Sequence, residues 1–293
     1  MDYREKYRQW LDSPVIDKAT KEELAAIEND EKELESRFYK DLEFGTGGLR
    51  GIIGAGSNRM NRYTVGRATQ GLANYIIKHG RDAMDRGVVI AYDTRRMSKE
   101  FALETALVLN ANGIKVYLYD EMQPTPILSF SVRELGAVSG VVITASHNPP
   151  AYNGYKVYWE DGGQVPPGRS EEIIKEVYAV KSFEEIKTIS KEEAENRGLL
   201  NIIGKDVVDR YIDRVKNLSI NKQLIKEMGS QLKIVYTPIH GTGNKPVRRV
   251  LKELGFENVM VVSEQEMPDP EFPTVKFPNP EEPEVFELAI DMA

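Results

Sequence analysis

The stretch Gly140-Val141-Val142-Ile143-Thr144-Ala145-Ser146-His147-Asn148-Pro149 decides the fold class of this chain. Three β-branched residues halted by a small polar cluster and Asn-Pro read as a buried strand ending in an exposed turn. In open α/β sheets, ligands bind in the crevice at the carboxyl ends of the strands. The turn offers one hydroxyl, Ser146, with the imidazole of His147 beside it. A second turn at Asn153-Gly154-Tyr155-Lys156 brings up a lysine. A hydroxyl nucleophile with cations nearby suits phosphoryl transfer, because the moving group is negatively charged throughout. Taken alone, Ser-His-Asn-Pro reads equally well as a plain strand-end turn in which Ser and Asn bond locally.

Working outward, strands alternate with helices. Val88 to Tyr92 reads as a strand with the polar end Asp93-Thr94-Arg95-Arg96. Ser98 caps the next helix, which stops at Gly113. Lys115 to Tyr119 is a further strand, and Tyr155 to Trp159 one more, at an edge. This alternation predicts βαβ crossovers and a largely parallel sheet. Upstream, Gly45-Thr46-Gly47-Gly48-Leu49-Arg50-Gly51 reads as a glycine-rich loop, and Thr64 as the cap of a helix with Val65, Ala68, Leu72 and Ile76 on its apolar face. Before it, residues 1–42 read as a helical extension packed on the first domain. Thr20 there caps a helix, with Glu23 completing a capping box.

Downstream of Gly162-Gly163 the chain turns polar, with helices near 170–178 and 191–197 and an amphipathic helix from Asp206 to Lys216. A second βαβ unit follows: strand Leu232 to Tyr236, loop Thr237 to Gly243, helix Pro246 to Leu254, strand Val259 to Val262. The domain boundary therefore falls near residue 203. Six prolines between Pro268 and Pro283 favour extended chain, and Glu284 to Met292 starts a helix.

Composition narrows the function. The 293 residues carry a formal net charge of -7, with 41% hydrophobic and 29% charged residues, the range of soluble globular proteins. No polybasic block is present, which argues against a nucleic-acid partner. Any anion site must be local, built from a few Arg, Lys and backbone N–H groups. There is no cysteine, so disulfides, thiolate nucleophiles and zinc-thiolate sites are excluded, and a reducing cytoplasmic setting fits. The charged start Met1-Asp2-Tyr3-Arg4-Glu5-Lys6 has no apolar core of a signal peptide, and no stretch approaches the length needed to span a bilayer.

Several segments, in order, resemble the α-D-phosphohexomutases, the phosphoglucomutase and phosphomannomutase superfamily. Phe44 to Gly51 is similar to the family's first active-site loop. Ala91-Tyr92-Asp93-Thr94-Arg95 with Ser98 resembles its second-strand motif, and Thr144 to Lys156 its phosphoserine loop. Thr237 to Gly243 and Pro268 to Pro273 resemble the second domain of its long-chain branch, which includes phosphopentomutase-like members. The resemblance implies two successive mixed-sheet α/β domains, at 43–202 and 203–293, behind the helical extension 1–42.

It also implies residue roles. Ser146 would be the phosphoserine, exchanging its phosphoryl group with a hexose or pentose phosphate through a bound sugar 1,6-bisphosphate, so that phosphate moves between O1 and O6. Lys156 would be a general acid or base near the reacting hydroxyl, its pKa lowered by neighbouring cations. His147 would hydrogen-bond the phosphoryl group, and Arg50 would stabilise its charge. One Mg²⁺ would bind through the phosphoryl group on Ser146.

The family's Asp-x-Asp-x-Asp-Arg metal loop does not occur in the sequence. In family order it would follow residue 293. The expectation is therefore the first two domains of a four-domain enzyme, inactive or nearly so without its C-terminal domains, with sugar preference determined elsewhere.

The remaining motifs read as structural. Asp93 and Arg95 form a salt bridge, His240 packs in its loop, and His79 is a solvated side chain at a helix end. Two rival functions stand beside the mutase. A serine hydrolase using Ser146 and His147 lacks the Gly-x-Ser-x-Gly elbow. The other is a non-catalytic two-domain protein that binds sugar phosphates.

Overall fold

The computed structural model describes residues 2–45 and 47–293; Met1 and Thr46, the threonine of the glycine-rich stretch, lie outside the described residues. Three short helices open the chain: α1 (Tyr3–Asp12), α2 (Lys18–Ala25) and α3 (Glu31–Phe38). They share a small core with the next unit, in which Trp10 meets the rings of Phe38, Tyr63 and Phe183 edge-on at 5.8, 5.6 and 5.2 Å. The cap of α2 is Asp17, which accepts from the Thr20 N–H at 2.9 Å, so Thr20 is the third helical residue and not the cap.

The first unit runs β1 (Gly48–Ile52), α4 (Arg62–Lys78), α5 (Arg81–Arg86), β2 (Val88–Tyr92), α6 (Ser98–Ala111), β3 (Val116–Tyr119), α7 (Thr125–Glu134), β4 (Ser139–Ile143), β5 (Tyr152–Trp159), α8 (Pro167–Ala179), α9 (Lys191–Asn196) and β6 (Leu200–Ile203). Again the expected caps lie one turn off. Asn61 caps α4 and Thr64 completes its capping box. The Ser98 hydroxyl donates to Asp93 Oδ1 at 2.7 Å instead of capping α6.

The six strands lie in the order β1-β5-β4-β2-β3-β6. Strands β2, β3, β4 and β6 are parallel, whereas β5 runs antiparallel to both β4 and β1. The sequence placed Tyr155 to Trp159 at an edge. Instead β1 covers that side, because the glycine-rich stretch becomes a strand after Gly47. Gly48 makes this possible: a Cβ there would stand 1.8 Å from the Tyr155 carbonyl oxygen. Every residue of β2 and β4 is buried. Helices on both faces explain their continuous apolar runs, and each such Val or Ile contributes about 1.5–3 kcal/mol.

The chain passes from β2 to β3 on one side and returns to β4 on the other. Helix α6 packs its Phe101, Ala106 and Leu109 into the core of one face, and α7 packs Ile127, Leu128 and Val132 into that of the opposite face. The carboxyl ends of β2 and β4 are thus a topological switch point, where a crevice opens between oppositely directed crossovers.

The second unit comprises α10 (Lys205–Asn217), α11 (Lys222–Met228), β7 (Lys233–Tyr236), α12 (Asn244–Leu254), β8 (Asn258–Val261), α13 (Ser263–Glu266) and α14 (Glu287–Met292). Strands β7 and β8 pair in parallel, as a βαβ crossover requires, so among the described residues only the first sheet is mixed. Helix α12 ends at Gly255, whose φ of 106° suits the left-handed cap. Helix α10 packs between α7 and α12, with Phe130 and Tyr211 in edge contact and Asp209 paired to Arg249. Among the described residues no helix is long and apolar enough to cross a membrane.

Candidate active site

Sheet register assembles the site. Arg50 on β1 stands opposite Gly154 on β5. The Thr144 N–H, just beyond β4, donates to the Gly154 carbonyl at 3.0 Å, and the Asp93 N–H, just beyond β2, donates to the Ile143 carbonyl at 3.1 Å. Residues directly opposite share a face, so Arg50, Gly154, Thr144 and Asp93 form one row across the switch point. Lys156, two residues along β5, is on the same face. A Cβ at Gly154 would lie 2.6 Å from the Thr144 carbonyl oxygen, so only glycine lets the strands close here.

Beyond Thr144 the chain turns sharply. Ser146 has φ of 58°, a left-handed conformation that a non-glycine residue holds only when its surroundings enforce it. The Ser146 N–H donates to Thr144 Oγ1 at 2.9 Å, and the partly buried carboxyl of Asp93 accepts from the Ser98 hydroxyl at 2.7 Å and the Arg95 N–H at 2.9 Å. Ser146 and His147 are both exposed, at a cleft of about 460 Å³ that also touches Asp93 and Thr94. The opposite wall comes from the second unit, through Ile239, Thr242 and Phe272.

Arg50 reaches the same turn. Its Nη1 donates to Asn148 Oδ1 at 3.0 Å, and it has no carboxylate partner among the described residues. Lys156 is half-buried and likewise unpaired with a carboxylate among the described residues. Its ammonium is held below the usual lysine range chiefly by burial and secondarily by Arg50, with Asp93 opposing. The sequence reading assigned that depression to neighbouring cations; desolvation is the larger cause. A turn with an exposed hydroxyl, an uncompensated guanidinium and a lysine of lowered pKa can hold a phosphoryl group and move a proton.

Asp93 and Arg95 do pair, with Nε 3.4 Å from Oδ2. Both are pushed toward their neutral forms by burial. The larger role of Arg95 was missed. Its fully buried guanidinium donates to the carbonyls of Pro149 at 2.8 Å, Tyr152 at 3.0 Å and Ser146 at 2.9 Å, and to that of Asn148. No sequence signal marks it, because the carbonyls it serves lie 51 to 57 positions away.

His240 is buried, with Nδ1 3.0 Å from the Met267 carbonyl and Nε2 2.9 Å from Thr274 Oγ1, so it braces its loop. His79 lies outside the site, exposed, with its ring 4.6 Å from that of Tyr75.

Residues 41–184 match the family model for phosphoglucomutase/phosphomannomutase, alpha/beta/alpha domain I, and residues 209–293 match that for domain II. The chain is 42% identical over 261 residues to a phosphoglucomutase of Staphylococcus haemolyticus, covering 88% of this chain and 46% of that protein. It is 36% identical over 282 residues to a phosphopentomutase of Mus musculus, covering 94% and 44%. In fold it is similar to a phosphoglucomutase/phosphomannomutase family protein of Burkholderia thailandensis, with a TM-score of 0.64, 24% identity, and coverage of 85% of this chain and 49% of that one. The chain spans about half the length of the curated relatives it matches. With both domain matches in chain order, and the switch-point turn falling inside the first, the chain belongs to the phosphoglucomutase/phosphomannomutase family.

Proposed function

We propose that this chain carries the phosphoryl-transfer site of a sugar-phosphate mutase, with Ser146 as the phosphoryl carrier. The observation that supports it most is the Arg50 guanidinium reaching the Ser146 turn through Asn148, with Lys156 on the same face of the sheet. In this reading the sugar hydroxyl attacks phosphorus on Ser146 and the bond from phosphorus to Ser146 Oγ breaks. Lys156, in its neutral form, takes the proton of the attacking hydroxyl. The Ser146 oxygen leaves and takes up a proton from solvent, which its exposed position admits, and a sugar bisphosphate is formed. The reverse transfer from the other phosphate completes the exchange between O1 and O6. Arg50 stabilises the charge of the phosphoryl group in flight, and His147, exposed beside Ser146, hydrogen-bonds its oxygens.

The substrate class is a hexose or pentose phosphate, on the names of the two relatives. Cytoplasmic setting and Mg²⁺ dependence belong to this reading through the family. Among the described residues no group of three or more His, Cys, Asp or Glu side chains is placed to hold a metal. The donors here therefore do not fit a complete magnesium site. The same reading makes the 293-residue chain by itself a poor mutase.

The test is phosphoryl loading. The purified chain is incubated with glucose 1,6-bisphosphate and its intact mass and phosphopeptides are read. Gain of one phosphoryl group at Ser146, abolished in Ser146→Ala, supports the carrier. Binding of the bisphosphate without transfer would favour a non-catalytic sugar-phosphate-binding protein instead.

A further inference from the structure

Two turns far apart in sequence meet at Arg95. On one side lies the segment from Ser146 to Tyr152, four of whose carbonyls point at the guanidinium. The two terminal nitrogens carry four N–H groups, and each finds one carbonyl. On the other side lies Phe272 of the second unit. Its ring covers the guanidinium, with the Arg95 central carbon 5.2 Å from the ring centroid, and both residues are buried.

The Phe272 turn is itself held firmly. Phe272 has φ of 49°, its N–H donates to the Asp269 carbonyl at 3.3 Å, and the Asp269 N–H donates to the His240 carbonyl at 3.3 Å. Next door, the Glu271 carboxylate takes two N–H groups of Arg96. The Arg96 carbonyl in turn accepts from Asn153 at 2.9 Å. The second unit thus grips both arginines that follow β2; Arg95 carries the Ser146 turn, and Arg96 meets β5 at Asn153.

We infer that Arg95 is a positioning residue for the Ser146 turn, and that Phe272 is the latch through which docking of the second unit holds Arg95 in place. A guanidinium taken out of water needs its donors filled and its face covered; here the loop carbonyls fill the four donors of the terminal nitrogens, Nε lies 3.4 Å from Asp93 Oδ2, and the ring covers the face. With the ring gone, water reaches the guanidinium and competes for the carbonyls. The Ser146 turn then loses the forces that keep its left-handed backbone. The inference rests on Ser146 being the phosphoryl carrier only for its functional meaning; the mechanical coupling stands apart from it.

The test is hydrogen exchange on the full 293-residue chain, comparing wild type with Phe272→Leu. The amides of Ser146, Asn148 and Tyr152 report, since each donates within the turn. They are expected to exchange about tenfold faster in the variant, while the amides of β2 and β4 keep their protection. Phe272→Tyr, which keeps the ring, restores slow exchange. Phe272→Met keeps the volume without the ring, and serves the same comparison if the leucine variant does not fold. Unchanged exchange at the three turn amides would overturn the inference. Equal acceleration throughout β2 and β4 would overturn it too, since Phe272 would then contribute only general stability. Phosphoryl loading of Ser146 is scored separately, so loss of the carrier reading leaves the exchange result intact.

Discussion

Arg50 and Lys156 stand on one face of the sheet, on the adjacent antiparallel strands β1 and β5, two register positions apart. Neither is neutralised by a carboxylate among the described residues. In a chain of net charge -7 this is a local concentration of positive charge, and Arg50 reaches the Ser146 turn through Asn148.

Lys156 titrates early, and this has a sign. Its folded pKa lies below the ordinary value of 10.5, so between the two values the unfolded chain binds more protons. Stability therefore rises with pH through that window. Lys156→Met should be more stable than wild type near neutral pH, with the difference shrinking as the pH climbs toward 10.5. Urea titrations at several pH values check this. The same variant should load phosphate on Ser146 about 10²–10⁴ times more slowly.

Arg50→Ala removes the guanidinium that reaches the turn through Asn148. The rate of phosphoryl loading from glucose 1,6-bisphosphate should fall about 10²–10³-fold. Arg50→Lys should recover little, because an ammonium cannot present the same planar pair of donors. Quenched-flow mass spectrometry of both variants measures it.

Thr144→Val keeps the shape but deletes the oxygen that accepts from the Ser146 N–H. A strained turn loses its anchor, at a cost of about 1–3 kcal/mol. Thr144→Ser should retain most of the stability, as read by the denaturant midpoint.

Gly48→Ala places a Cβ against the Tyr155 carbonyl oxygen, at a φ of +154°. The strand must shift, and Arg50 with it. The expected loss is about 3 kcal/mol. Phosphoryl loading should fall as well, since β1 carries Arg50; denaturation curves and loading rates separate the two effects.

Much of the local structure was legible in the sequence. The runs Val88 to Tyr92 and Gly140 to Ile143 are strands because continuous apolar residues ending in polar turns can only be buried on both faces. The helix ending at Gly255 was legible for a similarly local reason. The caps were misplaced by three residues at Thr20 and Thr64 because each is the donor partner of a cap, Asp17 and Asn61, and both positions carry cap-forming side chains. The glycine-rich stretch hid β1, since Gly48 and Gly51 carry no strand signal of their own.

The sequence by itself determined the Ser146 turn and the strand before it, because these depend on residues within a few positions of one another. Tertiary structure decided what surrounds that turn. Arg50 meets Asn148 across 98 positions, and Arg95 reaches the Ser146 and Tyr152 carbonyls across 51 and 57. Such contacts follow from strand order and register, which are selected by the packing of both sheet faces at once and leave no periodic mark near the residues they bring together.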